Sequence, residues 1–376
     1  MFIKSLNLKD FRQFSAKKIS FDHDICLIVG PNGIGKSSIL EAIRMLSSGR
    51  SFRATRVEQM IKFSQPLARV KGKVVADELS EGEGLGGLDE MQLSLLLTPG
   101  EVQGKRTSKV LYSVNENRRR RKDFVGKLLT VVFRPEDLRL VEGSPGRRRN
   151  YLDDVLTATD QYYDNSLTKY AKALTRRNKL LSLIKDGKQK PSALKYWDLT
   201  MIKHGESLQE TRRKFIEFVN SLVQPPLDMK LIYQPSIITQ ERLDSHQRGA
   251  IGAGYTLIGP HKDDLQIQLR FPQVADEEPY QALELYGSRG QKRLGVLWLK
   301  LAELQWLRRE AEQEPVLLLD DILSELDDHS RDLVLSLLGR GQCVVTSTEK
   351  ELEKELSNIL HKKMQVVKLN KHTKKG

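Results

Sequence analysis

The sequence predicts an α/β fold: a phosphate-binding core interrupted by a mainly helical second lobe. Three observations predict it. A Gly-rich loop joins an apolar strand to a helix near the N-terminus, a strand ending in two acids follows far downstream, and the intervening chain changes from strand-like to helical periodicity and back. The implied division is 1–145, the N-terminal part of the core; 146–249, the inserted helical lobe; and 250–376, the C-terminal part of the core.

Taken in order, FIKSLNL, ISFDHDICLIVG, LARVKGKVV, MQLSLLL, KVLYSV and LLTVVF are short alternating or β-branched runs separated by Gly, Pro and charged turns, so each reads as a strand. One helix interrupts them: SSILEAIRMLSS places Ile39, Leu40, Ile43 and Leu46 on one buried face. From Pro145 to about Gln224 apolar residues recur every three or four positions, with a breaker at KDGKQKPS, which predicts antiparallel helices. After residue 250 the pattern returns to α/β, with a long helix near 290–312 and strands at PVLLLDD, QCVVTS and MQVVKL.

Composition narrows the class. The chain has 376 residues, 39% of them hydrophobic, which excludes disorder and allows a sizeable core. No apolar run reaches the roughly 18 residues of a membrane span, and MFIKSLNLKDFRQF breaks its apolar positions with charges, unlike a signal peptide. A cytoplasmic protein without membrane contact is expected. Cys26 and Cys343 lie in apolar stretches without CxxC spacing and read as buried thiols, with no disulfide or zinc expected. The net charge is +13, and residues 101–150 carry 14 Lys+Arg against 6 Asp+Glu, so the positive charge is concentrated.

Gly30-Pro31-Asn32-Gly33-Ile34-Gly35-Lys36-Ser37, followed by Ser38, fits G-x-x-x-x-G-K-[ST] between the strand ICLIV and a helix. The glycines let successive N–H groups wrap phosphates at a helix N-terminus, Lys36 neutralises the outer phosphates, and the Ser37 hydroxyl can ligate Mg²⁺. Such a loop needs a carboxylate on a neighbouring strand, and Pro315–Asp321 (PVLLLDD) supplies Asp320 for the magnesium and Asp321 to orient or deprotonate water. Lys36 and Asp320 stand 284 positions apart, which requires an insertion between them. Ser288-Arg289-Gly290-Gln291 opens the long helix and offers a second phosphate-binding N-terminus, although an ordinary Ser cap has the same appearance. Ser324-Glu325-Leu326-Asp327 adds acids just after the Asp320–Asp321 pair.

A P-loop, a distant S-x-G-Q, an LLLDD strand and an SELD loop, in that order, resemble the ABC-class ATPase heads that act on DNA. More narrowly, GPNGIGKSSILEAI, FRPEDLRLVEGSPGRRRNYLDD, LTRRNKLL, TLIGPHKDDL, GSRGQKRLGVLWLKLAE and PVLLLDDILSELD resemble the RecF family of bacterial recombination mediators, relatives of SMC heads, almost from end to end. The resemblance implies an ABC-type P-loop ATPase head that uses ATP and Mg²⁺ and dimerises head to tail around nucleotide. Ser288, Gly290 and Gln291 of one subunit would then reach the ATP held by Lys36 and Ser37 of the other, and Asp327 would lie in the loop crossing the interface. It implies a weak DNA-dependent ATPase acting as a switch in recombinational repair and replication restart. The DNA would be gapped or junction DNA, double- and single-stranded; the partners would be RecR and RecO, with RecA loaded indirectly. Thr346 stands where many ABC ATPases carry a switch His, which implies slow hydrolysis.

The basic runs Arg118-Arg119-Arg120-Arg121-Lys122 and Arg147-Arg148-Arg149 are candidates for sequence-independent phosphate contacts, with Arg176 and Arg177 as weaker ones. A solvated hairpin tip competes for the first run, and a structural role tying the lobe to the core for the second. The G-x-G-x-x-G spacing at Gly82–Gly87 has an acidic stretch before it and no helix after it, so it reads as a loop and not a dinucleotide site. His261 in GPHKDD lacks a second nitrogen ligand and reads as a hydrogen-bonded histidine.

Three other readings compete for these motifs. An SMC-like structural ATPase needs long heptad-repeat arms, which the interval lacks. A transporter ATPase subunit would place its motifs closer together and dock membrane helices. A DNA-binding module with a decayed nucleotide site is opposed by the intact Lys36, Ser37 and Asp320.

Overall fold

A computed structural model describes residues 1–75, 90–222, 227–270, 280–326, 328–336, 338, 340–349, 352–360 and 363–370. The chain forms two compact units, Met1–Glu136 with Glu303–Gly376, and Asp137–Ala302. In chain order the strands are β1 (Phe2–Phe11), β2 (Phe14–Ser20), β3 (Ile25–Val29), β4 (Ala68–Val75), β5 (Glu90–Leu97), β6 (Glu101–Val102), β7 (Lys105–Arg106), β8 (Val110–Val114), β9 (Asn117–Arg119), β10 (Thr130–Phe133), β11 (Met229–Gln234), β12 (Asp264–Arg270), β13 (Tyr280–Ala282), β14 (Val316–Asp320), β15 (Cys343–Ser347) and β16 (Met364–Lys368). Among the described residues no helix is long and apolar enough to cross a membrane.

The first unit is an α/β domain. Its five-stranded sheet has the order β10-β14-β15-β3-β16 and is parallel throughout. Every residue of β3, β14 and β15 is buried. Parallel strands covered on both faces must be continuously apolar, hence ICLIV, VLLLD and CVVTS. Cys26 and Cys343 lie on the adjacent strands β3 and β15 as free, fully buried thiols, and burial pushes the Cys26 pKa up to about 12.

Helix α1 (Lys36–Ser48) follows β3 and is almost wholly buried, closed at its C-terminus by the left-handed Gly49. Against it lies a six-stranded antiparallel sheet of order β2-β1-β4-β5-β8-β9. Its inner face carries Leu6, Leu8, Val70, Leu93 and Leu95, while intervening residues point to solvent, the alternation expected of a half-covered sheet. Gln342 ties this sheet to the parallel one: its side-chain amide accepts the Ile3 N–H at 2.7 Å and donates to the Ile3 carbonyl at 2.9 Å, as a strand partner would.

The second unit holds the long helices Pro145–Thr159, Gln161–Lys185 and Lys195–Leu222. Pro145 opens the first at a position where its missing N–H costs nothing, and Asp160 caps the second by accepting the Tyr162 and Tyr163 N–H groups. The expected boundary at residue 249 differs from the observed unit, which extends to Ala302. The reason is sheet pairing: β11 is hydrogen-bonded to β12 along its length and β12 to β13, so residues on both sides of 249 share one sheet. The lobe is therefore helical with a three-stranded sheet.

Its largely apolar interior encloses a charged network. The Arg212 guanidinium, 2% exposed, bonds Asp153 and Asp263 at 2.8 Å each and also the Pro260 carbonyl. Asp263 further accepts from Tyr233 Oη, Gln209 Nε2 and the Ser236 N–H, so each buried charge is fully partnered, the condition under which such a network is tolerable.

Candidate functional site

The Gly30–Ser37 loop leaves β3 and turns into α1 with Gly33 at φ +77° and Gly35 at φ +106°. Both angles favour glycine. At Gly35 a Cβ would also lie 1.8 Å from Gln13 Nε2 and 2.5 Å from Phe14 Cζ, so the β1–β2 turn itself presses on the loop. Ser38 Oγ donates to Gln13 Oε1 at 3.3 Å, completing that contact.

Lys36 is buried, 4% exposed, with its Nζ donating to the Gly30 carbonyl at 2.9 Å and lying 3.6 Å from Asp321 Oδ2. Loop carbonyls and a carboxylate thus hold the ammonium where phosphate oxygens would compete for it. Asp321 has a left-handed backbone at φ +50°, which costs a non-glycine residue energy and aims its carboxylate back toward the loop.

The structure brings Ser37 and Asp320 together. Ser37 Oγ donates to Asp320 Oδ1 at 2.8 Å, and Thr346 Oγ1 donates to the same oxygen at 2.9 Å. Asp320 ends β14 and Thr346 sits directly across from it on β15, which is why they meet. The Thr346 hydroxyl also accepts the Asp321 N–H at 3.1 Å. Burial raises the Asp320 pKa, opposed by the hydrogen bonds from Ser37 and Thr346, while Asp321 and Glu136 push it up further. A divalent cation would relieve this desolvated carboxylate. The donor set fits magnesium: a hydroxyl and a carboxylate oxygen 2.8 Å apart suit neighbouring positions of an octahedron, about 2.9 Å at the usual bond length of about 2.0–2.1 Å.

Sequence reasoning did not find several further residues here. Arg12 clamps the buried Glu41 of α1 through two hydrogen bonds, at 2.8 and 2.5 Å, and Ser51 adds a third. Arg12 and Gln13 border a cavity of about 530 Å³ that also meets Gln59, Lys62, Phe63 and Ser64. Phe63 is 93% exposed beside it. An exposed aromatic in KFSQP is the one signal that could have drawn attention to this segment.

Ser288, Gly290 and Gln291 lie in the second unit, at the start of the helix Arg289–Ala311. Ser288 Oγ accepts the Gln291 N–H at 3.2 Å and Gln291 Oε1 accepts the Ser288 N–H at 2.8 Å, a reciprocal capping box with Ser288 and Gly290 exposed. Asp327 and the Gly82–Gly87 spacing lie outside the described residues.

The basic runs divide. Arg118, Arg119 and Lys122 are exposed, Arg120 pairs with Asp123 at 3.1 Å, and Arg121 is half-buried with Nη2 on the Ser48 carbonyl. The hairpin tip is Asn115-Glu116, both with positive φ, so the arginines occupy the returning strand β9 and the short helical turn Arg121–Asp123 beyond it. Arg147 is exposed, but Arg148 departs from the expected phosphate contact: it forks onto Asp264 at 2.7 and 2.9 Å and donates to the Val141 and Gly143 carbonyls. Arg149 donates to the Asp263 carbonyl at 2.7 Å, and the buried Arg177 to Asp198 at 2.6 Å. These three guanidiniums serve the lobe's own structure. His261 likewise accepts from Tyr170 Oη at 2.8 Å and donates from Nε2 to the Thr256 carbonyl, while burial lowers its pKa to about 4.

The chain matches the family model described as the RecF/RecN/SMC N-terminal domain over residues 2–373. It is 31% identical over 371 residues to the DNA replication and repair protein RecF of Bacillus cytotoxicus, covering 93% of this chain and 92% of that one. To the protein of the same description in Bacillus thuringiensis it is 31% identical over 388 residues, covering 96% of each. Solved structures of the recombination mediator protein RecF-ATP and RecF-ATPrS in the RecFOR pathway superpose with TM-scores of 0.81 and 0.80. Their identities are 29% and 30%, and the superpositions cover 93% of this chain and 92% and 93% of theirs.

Proposed function

The chain belongs to the RecF/RecN/SMC N-terminal-domain family, and from that premise we propose that it is an ATP-controlled DNA-binding protein of recombinational repair, a mediator in a RecFOR-type pathway. The observation that carries the proposal is the junction of loop and acidic strand at Ser37, Asp320 and Thr346, with Lys36 and Asp321 beside it. The names of the relatives and the RecF-ATP structures support the same reading.

In this reading the loop N–H groups from Gly30 to Ser38 cradle the phosphates, and Lys36 exchanges the Gly30 carbonyl and Asp321 for phosphate oxygens. The purine end of ATP enters the cavity bordered by Arg12, Gln13 and Phe63, which adjoins the loop through the Gln13–Ser38 contact. Ser37 and Asp320 would hold Mg²⁺, whose role when bound is to neutralise charge on the phosphates. Asp321, released by Lys36, accepts a proton from the attacking water. Hydrolysis is slow and serves as a timer.

Nucleotide joins two copies head to tail, the Ser288–Gln291 helix start of each meeting the ATP of the other. The dimer holds gapped or junction DNA, and hydrolysis releases it, helping RecR and RecO load RecA onto single strands. Sedimentation of wild type, Lys36→Arg and Ser288→Arg with a gapped duplex, with and without ATP·Mg²⁺, tests this. ATP-dependent dimers on DNA that both substitutions abolish are expected; a wild type that stays monomeric with ATP and binds DNA equally well without it overturns the switch.

A further inference from the structure

One face of the six-stranded sheet is turned toward α1, and the other is open. Gly72 shows which is which, since a Cβ there would lie 2.5 Å from Leu46 Cδ1 of α1. Gly72 pairs with Leu6 and Leu93, so the alternate residues occupy the open face. The strand registers align one row of them across all six strands: Lys18, Asn7, Lys71, Ser94, Ser113 and Arg118. None of the six is buried.

The flanking positions continue the pattern. Lys9 faces Arg69 directly, and Ser5 stands between Ser20 and Lys73. Among the described residues the acid of this face is Glu90, at its margin, where it pairs with Lys73 at 2.7 Å and Lys4 at 3.6 Å. Lys9, Lys18, Arg69, Lys71 and Arg118 have no carboxylate partner among the described residues. Like charges set opposite each other, as Lys9 and Arg69 are, destabilise a sheet. Among the described residues folding gains nothing from these five cations on one flat face spaced by Ser and Asn, which leaves them open to a polyanion.

We propose that this face is a platform for the phosphate backbone of duplex DNA, a deepening that rests on the DNA-binding reading above. Strands about 4.8 Å apart make the six-residue row about 24 Å long. A duplex presents one charge per ~1.7 Å of axis, so about 14 phosphates lie along that length, those on the near side in reach of long cationic side chains. Small hydroxyl and amide residues between the cations let a backbone approach closely. Contacts of this kind carry no sequence information and are strongly salt-dependent.

The test is the salt dependence of duplex binding by the full-length protein with ATP·Mg²⁺, for wild type and for Lys18→Gln/Lys71→Gln/Arg118→Gln. Each phosphate contact contributes about 0.9 to the log–log slope, so the triple variant is expected to lose about 2.7 from its slope and at least about tenfold in affinity at moderate salt. ATP binding and thermal melting, measured on the same samples, should match wild type. If the wild type binds duplex and the variant binds it with the same slope and affinity, this face is not the platform, and an acidic protein becomes the occupant to seek. If the wild type itself fails to bind duplex at low salt in either nucleotide state, the DNA-binding reading fails instead.

Discussion

Thr346 and Asp320 face each other across two parallel strands and share a hydrogen bond, Oγ1 to Oδ1, of 2.9 Å. The same hydroxyl accepts the N–H of Asp321, so one side chain fixes both acids at the end of β14. The threonine therefore has a structural role at this strand end. It holds Asp320 ionisable in spite of burial and stabilises the left-handed Asp321 backbone. Thr346→Val keeps the shape but leaves a buried N–H unpaired, at a cost of about 1–3 kcal/mol. ATP turnover should fall on the order of tenfold, and half-maximal turnover should need more Mg²⁺ as the Asp320 pKa climbs. Thr346→Ser should restore both. Equal melting temperatures and equal Mg²⁺ dependence for the valine and serine variants would sink this account.

Lys36 lies 3.6 Å from Asp321 Oδ2, an ion pair that ATP must break. Asp321→Asn removes both the restraint on Lys36 and the water's proton acceptor. Hydrolysis should drop by about 10²–10⁴, the range for loss of a positioned general base, while ATP binding persists or tightens. Equilibrium binding of a fluorescent ATP analogue measured beside turnover separates the two effects. Gly35→Ala should do the opposite and abolish binding, because φ +106° and the Gln13 contact leave a methyl no room.

The loop, the acidic strand and their intervening helices were legible because each is a local pattern: glycines in fixed positions, a continuous apolar strand, a 3.6-residue period. Partners that meet only through sheet order were not. Nothing in CVVTS says that Thr346 lies opposite Asp320; that requires β15 to sit beside β14 and not beside β10. The lobe boundary failed for the same reason, since β11 and β12 flank the expected border at residue 249 and join it. Charge runs misled in proportion to burial. Three adjacent arginines, Arg147 to Arg149, look alike in sequence, yet only Arg147 is exposed, and Arg148 is consumed by Asp264.

That difference predicts opposite outcomes for neighbouring substitutions. Arg148→Ala leaves Asp264 and the Gly143 carbonyl without their donor, and loss of a partly buried, forked ion pair should cost about 2–4 kcal/mol of lobe stability. The salt slope of DNA binding should not change. Arg118→Ala should leave melting within about 0.5 kcal/mol of wild type and reduce the slope by about 0.9. Denaturant unfolding together with DNA titrations at several salt concentrations checks both. A reduced slope in folded Arg148→Ala would return that residue to the DNA surface.

His261 makes lobe stability depend on pH. Its Nε2 donates to the Thr256 carbonyl and its Nδ1 accepts from Tyr170, so both hydrogen bonds suit the neutral ring and the second is lost on protonation. Burial is the main cause that lowers its pKa from 6.5 to about 4, with Lys262 and Arg149 adding to it and the Thr256 and Asp263 effects opposing. Between about pH 6.5 and 4 the unfolded chain then binds a proton that the folded chain refuses. Stability from this residue is fully present above pH 6.5 and is lost as pH falls toward 4, reaching about 3 kcal/mol in total. Carboxylates titrate over part of the same range, so the informative quantity is the difference between wild type and His261→Gln, which removes the titration. Urea unfolding of both proteins from pH 7.5 to 4 should show wild type losing about 3 kcal/mol more than the variant over this interval. Parallel pH profiles would mean that His261 keeps an ordinary pKa in the folded lobe.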